Sequence, residues 1–279
     1  MPSVKKNEIA LISALTCEAI PLIEKLELRP ITKAASFTIY KRDNFTLIIS
    51  GIGAENASAA LNYLMGLCPN TEKIINFGIC GAIPGFERHT IVTPSKIVDL
   101  KSKASFYPEI LLKGGALGTI GTAEEPITSP VSDIEFYDME SAAIFGSGIR
   151  YLPPSRIGIL KIVSDNLIDL PQSKEEVSAI VRAQKEKLSE FIVSFAELPL
   201  AEPRLEEAER SAIEKIKIGA RLTVTQERQL ISNAFDFKHR GGDLTSSLAV
   251  FVGKLKDLRG DTASRDSFLR EISDVLTRT

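Results

Sequence analysis

Short apolar runs alternate with helical patterns through the first two thirds of this chain. Strand-like runs cover residues 9–14, 37–40, 45–50, 73–77, 90–100, 118–122, 134–139 and 157–163. Helical patterns separate several of them, most clearly at residues 56–67 and 174–196. Because parallel strands need long crossover connections, which are usually helices, this alternation indicates a mostly parallel or mixed sheet with helices on both faces. We therefore predict an α/β fold with three layers.

Glycine turns and acidic residues follow these strands. Gly51 and Gly53 come after the run at 45–50, and a sharp turn at residues 78–82 is expected to end the strand at 73–77. Just past other runs stand three carboxylates, those of Glu18, Glu140 and Asp165. Ligands of doubly wound sheets bind at the carboxyl ends of the strands. The sequence therefore predicts one site, rich in carboxylates, at one edge of the sheet.

Glu140 is expected to lie where an apolar strand ends and a helix begins. Small residues follow it at positions 141–143, so the helix can pack closely behind it. The helix dipole and free backbone N–H groups favour an ionised carboxylate there. Such a carboxylate is suited to binding two neighbouring hydroxyls, as in ribose. The simpler alternative is that Glu140 only stabilises the first turn of its helix.

Composition excludes several classes of protein. The net charge of −2 argues against a dedicated nucleic-acid binder, which is usually basic. No apolar run reaches the roughly 18 residues that span a membrane, and the polar start lacks a signal-peptide pattern, so we expect a cytoplasmic protein. Cys17, Cys68 and Cys80 form no CxxC motif, and the only histidines are His89 and His239. We expect no disulfide framework, metal site or cofactor.

The composition changes near residue 197. Pro199 and Pro203 bracket a linker, after which strand signals disappear and charged helical patterns dominate. We predict an α/β domain at residues 1–198 and a helical appendage at residues 204–279. Basic residues of the appendage could bind a polynucleotide, but a solvated helical face is the commoner explanation of such charge.

Two details of the appendage are predicted from local patterns. Thr223 or Thr225 is expected to cap a helix, because a Thr there precedes a Glu-containing first turn. An apolar stripe is formed by Leu244, Leu248, Val252 and Leu255. An amphipathic helix must bury such a stripe. We expect it to pack against the α/β domain or against a second subunit.

Five segments, taken in order, resemble the nucleoside phosphorylase and nucleosidase superfamily. They are SALTCE at 13–18, SGIG at 50–53, NFGICGA at 76–82, DMESAA at 138–143 and VSDN at 163–166. The superfamily includes purine nucleoside phosphorylases, methylthioadenosine/adenosylhomocysteine nucleosidases and futalosine hydrolases. The resemblance covers about residues 8–197 and implies a nucleoside phosphorylase-like fold, cleavage of the N-glycosidic bond of a purine-type nucleoside, and a homodimer.

The resemblance also implies roles for individual residues. Glu18 matches the carboxylate that activates the attacking water, and Asp165 the residue that protonates or hydrogen-bonds the base at N7. Glu140 matches the ribose-diol ligand and Met139 the side chain under the sugar. Further substrate-binding positions are Ser50, Gly51, Gly78, Ile79 and Ser164. These roles suit a reaction that develops positive charge on the sugar and negative charge on the base. Without the resemblance, Glu18 and Asp165 would be read as a first-turn helix residue and a turn cap.

Hydrolysis is favoured over phosphorolysis. Phosphorylases of the family bind phosphate through an Arg on the strand before the glycine turn and a Ser within the turn, where this chain has Asn76 and Ile79. A phosphate dianion needs charged or multiple N–H donors, which these side chains do not supply. Water needs only one base, and Glu18 is available. Phosphorolysis stays the alternative, and the missing Ser leaves the substrate open.

A second departure concerns length. Residues 81–138 are fewer than in usual members of the family, which use this region to contact the base. Phe106 and Tyr107 are predicted to cover the base, although core packing explains this pair equally well. Pro126 lies near the place of a base-stacking Phe. Two other classes therefore remain: a non-catalytic nucleoside-binding protein, and a nucleic-acid processing factor in which the appendage presents a base.

Overall fold

A mixed β-sheet forms the centre of the first of two units in this computed structural model. The structure describes residues 8–34, 37–110, 114–170, 173–198, 205–239, 242–258 and 262–277. The units are Met1–Leu198 and Pro199–Thr279. The first is α/β and the second is helical, so the predicted fold class is confirmed.

Within the described ranges, the strands all belong to the first unit. They are β1 (Glu8–Ser13), β2 (Arg29–Ala34), β3 (Phe37–Arg42), β4 (Phe45–Ile49), β5 (Thr71–Ala82), β6 (Ile91–Val92), β7 (Lys96–Asp99), β8 (Ser105–Phe106), β9 (Thr119–Thr122), β10 (Phe136–Asp138) and β11 (Ile157–Asp165). Strand β2 was not predicted. It begins with the Arg29-Pro30 pair, and proline is depleted in strands except at sheet edges, where β2 lies.

Helices cover both faces of the sheet. Those of the first unit are α1 (Thr16–Lys25), α2 (Ala54–Leu67), α3 (Ser141–Gly148), α4 (Lys174–Ala183) and α5 (Lys185–Glu197), with a 3₁₀ turn at Pro154–Arg156. The single helix predicted at 174–196 is divided at Gln184, whose φ of −112° and ψ of 7° interrupt the helix. Amphipathic periodicity continues across this break, which is why the sequence did not reveal it.

Strand β5 is the long central strand. It pairs in parallel with β1 as far as Asn76 and with β11 as far as Gly81, and its last residues pair antiparallel with β10. The full order is β2-β3-β4-β1-β5-β10-β9-β7-β8, with β11 beside β5 and β6. The sharp turn predicted at 78–82 is therefore wrong. Pairing with β11, from Lys161 opposite Gly78 onward, keeps this glycine-containing segment extended.

Alternate residues of the strands enter two apolar clusters. Ile74 belongs to the cluster that includes Leu61 of α2 and Ile144 of α3, whereas Ile75 belongs to the cluster that includes Leu22 of α1 and Ile180 of α4. Successive side chains of a strand point to opposite faces, so β5 supplies both clusters. The result is the expected arrangement of three layers.

The second unit has a core of its own. Its helices are α6 (Glu207–Gly219), α7 (Val224–His239), α8 (Leu244–Lys254) and α9 (Thr262–Thr277), with a 3₁₀ turn at Leu255–Asp257. Thr223 Oγ1 accepts from Gln226 N (3.3 Å) and Gln226 Oε1 accepts from Thr223 N (2.9 Å), which makes Thr223 the predicted cap. Leu244 and Leu248 of the predicted stripe are buried within this unit, among side chains of its other helices. The expectation that the stripe needs the α/β domain or a second subunit to cover it is wrong, because helices of the same unit already cover it. Among the helices that the structure describes, none is both long enough and apolar enough to cross a membrane.

Candidate active site

A cavity of about 300 Å³ lies where the carboxyl ends of β1, β5, β10 and β11 meet. Its walls include the three predicted carboxylates, Glu18, Glu140 and Asp165. Small-molecule sites of proteins range from about 300 to 1,000 Å³. The structure therefore brings together, at one edge of the sheet, acidic residues that are far apart in the sequence.

The Glu18 carboxylate joins α1 to the sheet. Its Oε2 accepts hydrogen bonds from Leu15 N and Ser13 Oγ, both at 3.0 Å, and its Oε1 accepts from Ile79 N at 3.0 Å. Glu18 is 3% exposed. One oxygen thus caps the helix, as the simpler reading supposed, while the other reaches β5 beside the cavity.

The sheet topology explains why Ile79 N is available to Glu18. Pairing of β1 with β5 ends at Asn76, and pairing of β10 with β5 begins at Gly81. Between these two points the edge of β5 opens, and Glu18 fills the opening. Gly78 leaves the room that this carboxylate occupies, because a Cβ atom there would lie 2.9 Å from Glu18 Oε1.

Glu140 lies between the N-termini of two helices. It is the N-cap residue of α3, and its Oε1 accepts a hydrogen bond of 2.9 Å from the backbone N of Gly53, the N-cap residue of α2. Gly53 has a φ of 95°, a conformation that favours glycine. The side chain of Glu140 thus accepts a hydrogen bond from the start of α2 and makes no capping bond to α3. Stabilising the first turn of α3 therefore does not explain where this carboxylate lies.

Two charged residues of the site were missed by the sequence analysis. Lys161, 1% exposed, places its Nζ 2.8 Å from Asp138 Oδ2 and 3.8 Å from Glu140 Oε2. Asp138 also accepts from Thr122 Oγ1 (2.8 Å) and from Ser141 N (2.9 Å). A lysine inside a run of β-branched residues was the available signal, since a lysine is almost never fully buried unless it is paired.

Burial changes the protonation of these groups. Loss of solvation raises the pKa of Glu140 from 4.5 to about 7, against the opposing effect of the Lys161 cation. The helix dipole argument predicted an ionised Glu140 and omitted this cost of desolvation. Burial disfavours the Lys161 ammonium, but the carboxylates of Asp138 and Glu140 raise its pKa above the ordinary value, so it stays a cation.

Asp165 ends β11 and is fixed by two neighbours. Its Oδ1 accepts from Leu167 N at 2.9 Å, and its Oδ2 accepts from Ser164 Oγ at 2.5 Å. The first bond is the turn cap that the simpler reading supposed. Gly81 makes room for this arrangement, because a Cβ there would lie 2.8 Å from the Leu167 side chain and 3.1 Å from Asp165 Oδ1.

The other predicted substrate-binding residues take different places. Ile79, Met139 and Ser164 line the cavity, as does Pro126. Ser50, Gly51 and Gly78 are not among the residues that line it; Ser50 Oγ donates to Gly51 O at 2.8 Å, and Gly51 has a φ of 86°. No group of three or more His, Cys, Asp or Glu side chains within the described ranges is arranged to hold a metal ion.

Phe106 and Tyr107 lie outside the cavity walls. The Phe106 ring packs against Phe145 of α3, with a centroid distance of 5.8 Å, and covers Gly146. Tyr107 is 66% exposed. The structure thus favours core packing for Phe106, the alternative that the sequence left open, because α3 presents a glycine against which an aromatic ring fits.

Comparisons with known proteins show which proteins this chain is similar to. Residues 7–121 match the family model described as the phosphorylase superfamily. The 5′-methylthioadenosine/S-adenosylhomocysteine nucleosidase of Helicobacter pylori is 14% identical, with a TM-score of 0.58 over 68% of this chain and 99% of that chain. The Arabidopsis thaliana 5′-methylthioadenosine nucleosidase is 19% identical, with a TM-score of 0.58 over 69% and 96%.

A third structure extends the comparison. The futalosine hydrolase of Helicobacter pylori is 14% identical, with a TM-score of 0.55 over 69% of this chain and 98% of that chain. A comparison with curated protein sequences gave no match. The fold that the resemblance implied is confirmed, and the matching family model covers residues 7–121.

Proposed function

We propose that this chain, whose first unit has the fold of the phosphorylase superfamily, is a nucleosidase that hydrolyses the N-glycosidic bond of a purine-type nucleoside. The observation that carries the proposal is the convergence of Glu18, Glu140 and Asp165 on one cavity. Cleavage of this bond develops positive charge on the sugar. A catalyst must stabilise that charge while it activates water and assists the leaving base.

Glu18 is the proposed base. Its hydrogen bonds from Ser13, Leu15 and Ile79 fix both oxygens, so the carboxylate needs no reorganisation when the reaction begins. An ionised carboxylate can take a proton from a water that approaches from the cavity. The same negative charge stabilises the ribosyl cation that the water attacks.

Asp165 is the proposed acid that assists departure of the purine. Leu167 N and Ser164 Oγ orient its carboxyl group at the end of β11, beside the cavity. Proton transfer or a hydrogen bond to N7 makes the purine a better leaving group, and a positioned acid contributes on the order of a hundred- to ten-thousand-fold.

Glu140 and Met139 are proposed to hold the sugar. With Oε1 fixed by Gly53 N, Oε2 is the oxygen that remains for the hydroxyls, and Lys161 lies on the same side at 3.8 Å. Both charge states of Glu140 are accessible near neutral pH, because its pKa is about 7. The ionised form is the better acceptor for two hydroxyl donors.

The charge of the cavity supports hydrolysis. Its acidic lining residues are Glu18, Glu125, Asp138, Glu140 and Asp165, and no Lys, Arg or His lines it among the residues described. Lys161 lies beneath the wall and is already paired with Asp138. Asn76, where phosphorylases have an Arg, is 1% exposed and donates to Ile12 O at 3.2 Å inside the sheet. A phosphate dianion would therefore meet like charge without a compensating cation.

Release of free base from a panel of purine nucleosides, with and without phosphate, tests the proposal. We expect base and free pentose at a rate that phosphate does not change. Glu18→Gln and Asp165→Asn should fold and lose most of this activity. Glu124→Gln is a matched control, because Glu124 pairs with Lys101 on the surface, 2.6 Å away, and does not line the cavity. A pentose 1-phosphate product, or full activity in Glu18→Gln, would overturn the assignment.

The expectations of a cytoplasmic homodimer without a nucleic-acid partner stay predictions from the sequence. A sedimentation measurement of the purified chain checks the subunit number.

A further inference from the structure

Lys161 is a buried cation that the proposed chemistry does not use directly. Its side chain is 2% exposed and lies on β11 between Leu160 and Ile162, two residues of the apolar core. Burying an ammonium costs several kcal/mol unless partners compensate. The partners here are Asp138 and Glu140, both of which border the cavity.

The two carboxylates are held unequally. Asp138 is saturated: besides Lys161 at 2.8 Å, it accepts from Thr122 Oγ1, Ser141 N and Ser141 Oγ at 2.6 to 2.9 Å. Glu140 has one fixed oxygen, on Gly53 N, and its other oxygen is 3.8 Å from Lys161, a distance at which attraction persists without a hydrogen bond. Lys161 therefore stabilises the Glu140 charge and leaves Oε2 available to a ligand.

We propose that Lys161 is a positioning residue of the site, which holds Glu140 in the anionic form that accepts the ribose diol. This inference rests on the proposed function, since it takes Glu140 as the diol ligand. Lys161 has no contact with the sugar in this scheme and acts through Glu140.

Four groups face Glu140 from different elements. Lys161 of β11 favours its anion, as does the Gly53 N–H at the start of α2, whereas Asp138 of β10 and Glu18 of α1 oppose it. Burial raises the pKa of Glu140 to about 7 even with Lys161 present. Without the cation this pKa rises further, and at neutral pH most of Glu140 is protonated.

A purely structural role of Lys161 is the competing explanation. Asp138 accepts from Ser141 N at the start of α3, so the Lys161–Asp138 pair could serve only to anchor that helix. Loss of an anchor weakens every ligand equally and leaves the pH at which binding is gained unchanged. Loss of an electrostatic effect on Glu140 weakens only ligands that carry the diol, and it moves that pH.

The test compares binding of 7-deazaadenosine and its 2′,3′-dideoxy counterpart to the full chain by calorimetry, from mildly acid to mildly alkaline pH. The probe lacks N7 and so resists the proposed cleavage. In wild type, affinity for the ribonucleoside should rise with pH through about 7 as Glu140 loses its proton. In Lys161→Met this rise should move to higher pH, with binding at pH 7 weakened about fivefold by the first unit of movement and about tenfold by each further unit. The dideoxy compound should be unaffected, and Lys161→Arg should restore the wild-type profile.

Asp138→Asn provides a second, opposite readout. Asp138 opposes the Glu140 anion, so its neutralisation should move the binding midpoint to lower pH. If Lys161→Met does not fold, Lys161→Gln, which also removes the charge, takes its place in the same comparison. Equal losses for both probes, or unmoved midpoints, would refute the positioning role. A wild-type chain that does not discriminate between the two probes would instead refute Glu140 as the diol ligand, and with it the proposed sugar site.

Discussion

Gly78→Ala adds one methyl group at the point where β5 passes Glu18, the proposed general base. The new Cβ would lie 2.9 Å from Glu18 Oε1, 3.1 Å from its Cδ and 3.2 Å from its Oε2. Contacts below about 3 Å are not tolerated, so either β5 or the carboxylate must move. β5 is paired with β11 along residues 74–81, and the carboxylate is the more mobile of the two.

The size of the effect follows from the bonds that Glu18 makes. Moving its carboxylate away from β5 breaks the bond to Ile79 N, now 3.0 Å long, and preserves those to Ser13 and Leu15 on the far oxygen. A hydrogen bond to a charged group contributes about 1.5–3 kcal/mol. If that stabilisation serves to fix the Glu18 carboxylate, its loss lowers kcat by about ten- to a hundredfold.

The assay is base release at saturating nucleoside, together with urea unfolding of the same preparations. Gly66→Ala is the matched control: Gly66 lies on the exposed side of α2, with nothing within 4 Å of an added Cβ. There the same substitution should leave kcat unchanged and stabilise the helix by up to about 1 kcal/mol. Wild-type kcat in folded Gly78→Ala would show that the observed position of the Glu18 carboxylate has no part in catalysis.

Three other outcomes are expected. Glu140→Gln should weaken ribonucleoside binding by about 1.5–3 kcal/mol and leave binding of a 2′,3′-dideoxynucleoside unaffected, because only the diol needs the charged acceptor. Calorimetry measures both affinities, and equal effects on the two would exclude Glu140 as the diol ligand. The pKa of Glu140 is raised from 4.5 to about 7, so between these pH values the folded protein holds a proton that the unfolded chain has lost. The free energy of unfolding should therefore fall as the pH rises from 4.5 to 7, by about 3 kcal/mol more in wild type than in Glu140→Gln. Parallel pH profiles of the two proteins would contradict the burial argument. A chain ending at Ala201 should fold and keep base release, since the three apolar clusters of the α/β unit lie before residue 199 and Lys73 Nζ caps the end of α5 through Leu198 O at 2.8 Å. An unfolded product by circular dichroism would contradict the division.

The fold was largely readable from the sequence because apolar periodicity reports burial. Alternation of buried strands with helical patterns gave the layers, and strand ends gave the acidic residues that meet at the cavity. The glycines at 78 and 81 were misread as a turn. Their role depends on Glu18 and on Leu167 beside Asp165, which come close to β5 only in the folded sheet. A glycine needed for space has the same sequence signal as a glycine needed for a turn.

Side-chain partners were the part that could not be predicted. The apolar run at 157–163 predicted a buried strand, but nothing local indicates that Lys161 meets Asp138, which lies before α3. Phe106 was equally ambiguous, since an aromatic residue serves a core or a ligand with the same sequence. Its place was decided by Gly146, which leaves room for the ring on α3.

The charges of the site also fit the order of events in the proposed reaction. Five acidic side chains, those of Glu18, Glu125, Asp138, Glu140 and Asp165, border a cavity, and the nearby Lys161 cation is already paired. Such a site repels anions and gains its largest stabilisation when the sugar becomes positive, so the field favours the transition state over the neutral nucleoside. Desolvation raises the pKa of Glu140 and so opposes its ionisation, but charges in a buried site interact more strongly than in water. Burial therefore makes Glu140 harder to ionise before the ligand binds, and it makes the Glu140 charge more effective once it has formed. In such a site a nearby cation has its largest influence on whether the carboxylate is ionised, and Lys161 is that cation.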